Sequence, residues 1–178
     1  PSAKGRVILT TVNAASQRLP PRDALRRNSF IARIGDSVKS DDLVKFLTEN
    51  GYVRSSTVSE AGEFAVRGGI LDVFVPGSEE PVRLDFFGDE IESIRRFNPS
   101  DQRSIDQVEH FDILPAVEAL MDEEAIKRFR TGYRERFGVT ATGDPLYQAV
   151  SEGRRLSGMD HWLPLFEERM ATIFDHVG

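Results

Sequence analysis

Glu63-Phe-Ala-Val-Arg-Gly-Gly-Ile-Leu-Asp-Val-Phe-Val-Pro-Gly-Ser-Glu-Glu-Pro-Val-Arg-Leu-Asp-Phe-Phe-Gly-Asp-Glu-Ile-Glu-Ser-Ile-Arg-Arg96 reads as consecutive short strands, because polarity alternates with period two between breaks at Gly68-Gly69, Pro76-Gly77-Ser78 and Gly88-Asp89. Alternation puts Val82, Leu84 and Phe86 on one face of a strand and Arg83, Asp85 and Phe87 on the other. The same count turns Phe64 and Val66 inward and Glu63, Ala65 and Arg67 outward. Two neighbouring strands would then present Arg67, Arg83 and Phe87 on one solvent-facing surface. A ring beside two arginines has the chemistry of an interface hot spot, where truncation costs about 2 kcal/mol or more. The competing reading buries Phe87 under a helix or loop and pairs Arg83 with Asp85 or Glu63 across the strands, at about 0.2–1 kcal/mol. Gly68-Gly69 is expected to be a bulge or bend. Arg95 and Arg96 are adjacent and point to opposite faces; a shared face for Arg96 and Ile94 is taken as a break in alternation, so a bulge or strand end is expected there.

Before this meander, Arg6 to Val12 reads as a buried strand, followed by a short helix capped by Asn13 and ended at Pro20-Pro21. Ser29 to Ile34 reads as a strand, and Ser40 as the cap of a helix with Asp41 and Asp42 at its positive end. Leu43, Val44, Phe46 and Leu47 supply that helix's apolar stripe, and Asn50-Gly51 stops it. From Tyr52 four or five antiparallel strands are expected, with a further strand over Val108 to Leu114. Asp122 to Phe137 has helical spacing at Ile126, Phe129, Tyr133 and Phe137. Beyond Asp144 the pattern gives one short helix, a loop around Gly153 and Gly158, and a terminal strand near Thr172 to Asp175. The fold class is therefore α+β, an antiparallel β-meander with a capping helix.

The chain has 178 residues, 39% of them hydrophobic, enough for one domain or one plus part of another. It starts with neither Met nor a signal-peptide pattern, and is read as a piece of a longer cytoplasmic protein with no membrane partner. Without cysteine it can form no disulfide and no thiolate metal site. A formal net charge of -6 argues against a broad nucleic-acid footprint. No G-x-x-x-x-G-K-[ST] phosphate cradle occurs, so no ATP site, no catalytic residue and no cofactor is expected here. His110, His161 and His176 lack metal-ligand spacing, and Asp89 and Glu90 read as a solvated turn. Trp162 reads as a core or loop anchor in preference to a base-stacking platform.

Phe64 to Phe74 and Pro76 to Phe97 closely resemble the Mfd family of bacterial transcription-repair coupling factors. The resemblance continues through Asn98 to Ser104, Ile113 to Ala116 and Asp122 to Arg130, and takes in Val12 to Pro20; Gly138 to Arg155 matches little. It implies a UvrB-like N-terminal region in which residues 29–114 form a module that binds UvrA. Residues 1–28 and 115–178 would be two parts of a degenerate, partial α/β helicase-like domain that the module interrupts. The family's UvrA-contacting arginines and phenylalanine fall on Arg67, Arg83 and Phe87. The whole protein would be an ATP-driven DNA translocase that displaces stalled RNA polymerase, with ATP and Mg in a motor outside this chain. The resemblance also implies a docking face covered by another domain until the motor engages polymerase.

UvrB presents a similar module. Gly69-Ile70-Leu71 fits the coupling factors better, since UvrB tends to carry an acidic residue after the first glycine, and Leu114-Pro115-Ala116 leads into a helix where UvrB has a DNA-clamping hairpin. The expected role is a monomeric, non-catalytic adaptor docking UvrA through Arg67, Arg83 and Phe87, with Glu63 and Asp85 joining the rim. The alternatives are the equivalent module of UvrB, or DNA binding by the flanks through Arg128, Arg130, Arg134 and Arg136.

Overall fold

The computed structural model describes residues 7–138 and 143–177. The chain begins with two short helices, α1 (Val12–Ser16) and α2 (Arg22–Arg27), followed by strand β1 (Phe30–Arg33) and helix α3 (Ser40–Glu49). Seven strands come next: β2 (Val53–Arg54), β3 (Glu63–Arg67), β4 (Ile70–Val73), β5 (Val82–Phe87), β6 (Glu90–Phe97), β7 (Ser104–Val108) and β8 (His110–Ile113). Helices α4 (Glu123–Phe137) and α5 (Pro145–Ser151), a 3-10 helix (Met159–Leu165) and α6 (Ile173–Val177) complete it. The α+β class is as expected.

Strands β2 to β7 form one six-stranded sheet in sequence order. Its β3 to β7 part is the antiparallel meander, whereas β2 adds to the edge in parallel with β3. Leu71, Val73, Val82, Leu84, Ile91 and Ile94 line the inner face with no more than 1% exposure and pack with Leu43 and Leu47 of α3. At about 25 cal/mol per Å² of apolar area removed from water, this cluster is the main stabilising term of the sheet half. Asn50 and Gly51, with φ +84° at the glycine, end α3 as the sequence suggested.

Gly68-Gly69 is a two-residue hairpin turn, the bend of the two forms expected there. Gly68 has φ +60°, open to glycine alone without strain, and a Cβ on Gly69 would meet the Phe86 carbonyl oxygen at 2.9 Å. Register shifts fall at Asp85/Phe86 and at Arg96/Phe97, the second where a bulge was expected. Arg96 does share its side with Ile94, but two residues apart this obeys alternation and breaks nothing.

Strands β1 and β8 pair antiparallel in a separate two-stranded sheet, from Phe30 opposite Ile113 to Arg33 opposite His110. A second core gathers Phe129 and Tyr133 of α4, Tyr147 and Val150 of α5, and Leu163, Leu165 and Phe166, with Phe129 and Phe166 stacked at 4.8 Å. Trp162 belongs to this core, 5.3 Å from Tyr133 and 5.5 Å from Phe137. The N-terminal segment reaches the C-terminal one through the Leu19 to Ala171 bridge, Arg169 to Asp23 at 3.3 Å, and Pro20 to His176 at 2.9 Å.

Four local expectations are corrected. Residues 7–11 form no strand and stand exposed, Leu9 at 93%, because no described strand lies alongside them; Arg6 lies outside the described residues. The cap of α1 is Thr11, whose Oγ1 accepts from Ala14 N, and not Asn13. Ser40 is the first residue of α3, after Lys39, and makes no side-chain cap. Thr172 to Asp175 opens a helix, because the Asp175 carboxylate accepts from Thr172 N and Oγ1, a capping arrangement that outweighs the β-branched Thr-Ile pair.

Candidate docking face

The outer face of the sheet carries a polar cluster centred on Asp72, which sequence reasoning missed. Register places Ala65, Asp72, Arg83, Arg95 and Gln107 in one row across β3 to β7. Asp72 is fully buried at 0% exposure. Arg83 grips it in a bidentate manner, Nε to Oδ1 at 2.7 Å and Nη2 to Oδ2 at 2.9 Å, and Arg67 adds Nη2 to Oδ2 at 2.5 Å. This satisfies a carboxylate that burial alone would make costly by several kcal/mol. The grip in turn holds the Arg83 guanidinium still more firmly protonated than usual, first through its hydrogen bonds to Asp72. Below it lies Phe97, with Arg83 Cζ 4.7 Å from the ring centroid.

Arg67 and Arg83 thus converge on one carboxylate from neighbouring sides, and Arg83 pairs with neither Asp85 nor Glu63. Asp85 is held by Arg95 Nη2 and Ser93 Oγ, both at 2.6 Å. Glu63 accepts from the backbone of Ser59 and Glu60, contacts that hold its carboxyl below the usual range. Both acids are engaged within the chain, as Arg67 and Arg83 are. Phe87 follows Arg83 and Asp85 on the same side of β5 and is 78% exposed, opposite Glu90 at the hairpin end. Ala65 faces outward as expected, and is buried there because Val58 and Phe97 close over that end of the face. The missed residue had a signal: Asp72 is out of step with Leu71 and Val73 on β4, as Arg83 is with Val82 and Leu84 on β5.

The flanks look different. Arg128 turns inward, Nε to the Phe166 carbonyl at 2.7 Å and Nη1 to Glu168 at 3.7 Å, so it leaves the arginine row of α4. Arg130, Arg134 and Arg136 are exposed among Glu123, Glu124 and Glu135. Among the described residues no group of three or more histidines or acids is placed to hold a metal, and no helix is long and apolar enough to cross a membrane.

Residues 31–118 match the family model described as the UvrB interaction domain. Those residues belong to that family. Over 99% of its length the chain is 40% identical to the transcription-repair-coupling factor of Haemophilus influenzae and 38% identical to that of Escherichia coli K12. The Bacillus subtilis transcription-repair-coupling factor is 31% identical over 96% of the chain. The resemblance read in stretches between Val12 and Arg130 is thus met by relatives whose match covers 99% of the chain. The chain spans 15% of the length of the first two relatives. The UvrB interaction domain takes in β1 to β8 with α3, and so includes the whole outer face around Asp72.

Proposed function

We propose that the chain is a non-catalytic docking part of a transcription-repair coupling factor, and that its outer sheet face recruits the excision-repair protein UvrA through Arg67, Arg83 and Phe87. The observation that carries this reading is an unshielded Phe87 on the same side of β5 as an arginine pair already locked in place. A ring left 78% in water contributes little to folding, whereas burying it against a partner removes apolar area from water. Arginines fixed before encounter lose little side-chain entropy on binding. Three side chains do not fill a specific interface of about 1,200–2,000 Å², so Ile70, Glu90 and Arg95 are assigned to its surround. The remaining activities, ATP- and Mg-dependent translocation on DNA and removal of stalled RNA polymerase, fall to other parts of the longer cytoplasmic protein. Residues 1–28 and 115–178 are assigned to a helicase-like domain that the 29–114 module interrupts, and the chain acts as a monomer.

The test is pull-down of UvrA by the chain carrying Arg67→Ala, Arg83→Ala and Phe87→Ala together. Capture should be lost; because the two arginine changes also strip the buried Asp72 of its partners, Phe87→Ala alone is read beside the triple variant and should lose capture while its far-UV and near-UV circular dichroism stay native. Undiminished capture by the triple variant sinks the assignment of this face.

A further inference from the structure

The charges around Asp72 do not cancel. Arg67 and Arg83 share the one Asp72 carboxylate, which leaves one positive charge at that spot, while Arg95 is matched by Asp85 and Glu90 stands apart beside Phe87. Arg95 is committed to Asp85, although its Nε is buried without an acceptor. Asp72 occupies Nε and Nη2 of Arg83 and Nη2 of Arg67. Nη1 of Arg83 and both Nε and Nη1 of Arg67 have no acceptor among the described residues. The surplus charge and the open donors therefore lie at the same spot, between Arg67 and Arg83. At the other end Phe87 stands opposite Glu90, so the face is polarised along β5.

We propose that Asp72 is a positioning residue of this face: it cancels one of two adjacent guanidinium charges, fixes both groups, and so sets the face to accept a partner surface with one carboxylate opposite Arg67 and Arg83 and an uncharged recess for Phe87. The inference rests on the docking reading above and deepens it. Without Asp72 the two guanidinium groups that meet over β4 would be like charges on mobile side chains with no carboxylate between them, and they would repel. Arg83 is also braced from below by Phe97, which fixes the plane in which its free Nη1 is offered. A surface bearing two or more clustered carboxylates would carry surplus negative charge against this face, and acids around the Phe87 recess would be repelled by Glu90.

The experiment measures binding of UvrA to the intact 178-residue chain by calorimetry. Asp72→Asn should weaken binding at least about tenfold at physiological salt, since the surrounding charge-assisted hydrogen bonds are the strong ones. Its affinity should also fall more steeply with ionic strength than the wild type's, because the uncancelled charge is screened. The loss should be additive with Phe87→Ala and non-additive with Arg67→Ala, the mark of action through the arginines. Alanine scanning of exposed acids on UvrA should find one carboxylate coupled to Arg67. Equal losses in the Arg67→Ala and Phe87→Ala backgrounds, wild-type affinity for folded Asp72→Asn, or two or more coupled carboxylates would each overturn the proposal. Should Asp72→Asn not fold, Phe97→Leu decides: a several-fold loss supports the braced geometry and unchanged affinity rejects it. If the triple variant of the docking residues binds normally the docking reading itself has failed; if it does not bind while Asp72→Asn does, only this inference has.

Discussion

A methyl group at Gly69 has nowhere to go, because the Phe86 carbonyl already lies 2.9 Å from where it would stand and Phe86 N donates to Gly69 O at 2.7 Å. Gly69→Ala should therefore cost about 1–3 kcal/mol through forced backbone displacement, read as a lower urea midpoint. Gly68→Ala should cost a similar amount for another reason, strain at φ +60° with free space around the methyl, about 1–3 kcal/mol for a non-glycine residue held there. At Glu63 the effect depends on pH. Its folded pKa is depressed, so its contribution is present above the unfolded value of about 4.3 and is lost as pH falls through the folded pKa. Glu63→Gln should lower stability at pH 7, and the gap to wild type should close below about pH 4, in urea titrations at the two pH values. Arg67, Arg83 and Phe87 were legible as outward-facing from parity alone. Asp72 was not, because parity assigns a face but says nothing of which outward carboxylate two arginines will share; that follows from register across β3, β4 and β5.

Among the elements, those with a strong repeat and clear punctuation were legible and those decided by one cap were not. The meander from β3 to β7 follows its alternation and its glycine turns, and α3 and α4 follow their apolar stripes. Residues 7–11 are as apolar as any strand in the sheet, yet pairing needs a partner backbone, which no local pattern can reveal. At Thr172 the β-branched pair suggested a strand, and the Asp175 carboxylate decided for a helix. Asp122 caps α4 through Oδ1 to Ala125 N at 2.7 Å. Asp122→Ala should cost about 1 kcal/mol, and hydrogen exchange should quicken in the first turn of α4 with little change in its centre.

For the molecule as a whole, two cores share the stability. The inner sheet face packs with α3, while Phe129 stacks among Tyr133, Tyr147 and Phe166 in the helical part. Phe129→Ala should cost about 3–5 kcal/mol in the helical part, with exchange protection of β3 to β6 largely kept. Equal loss of protection in both parts would show that they unfold as one unit. The seam is bridged by Arg155, whose Nη1 donates to the Ala119 carbonyl at 2.9 Å and Nη2 to that of Glu49 at 3.2 Å.

Where β1 and β8 lie side by side, the chain crosses into the sheet part and back out through a neck one hydrogen-bonded ladder wide. Paired antiparallel residues sit only about 5 Å apart, so residues 29–114 have two ends that a single peptide turn can span. On the 29–114 division proposed above, the segment has the end spacing that insertion into a surface turn of a host requires. A graft of this kind would carry the outer face intact, because every residue that shapes it, from Val58 to Gln107, travels inside the neck.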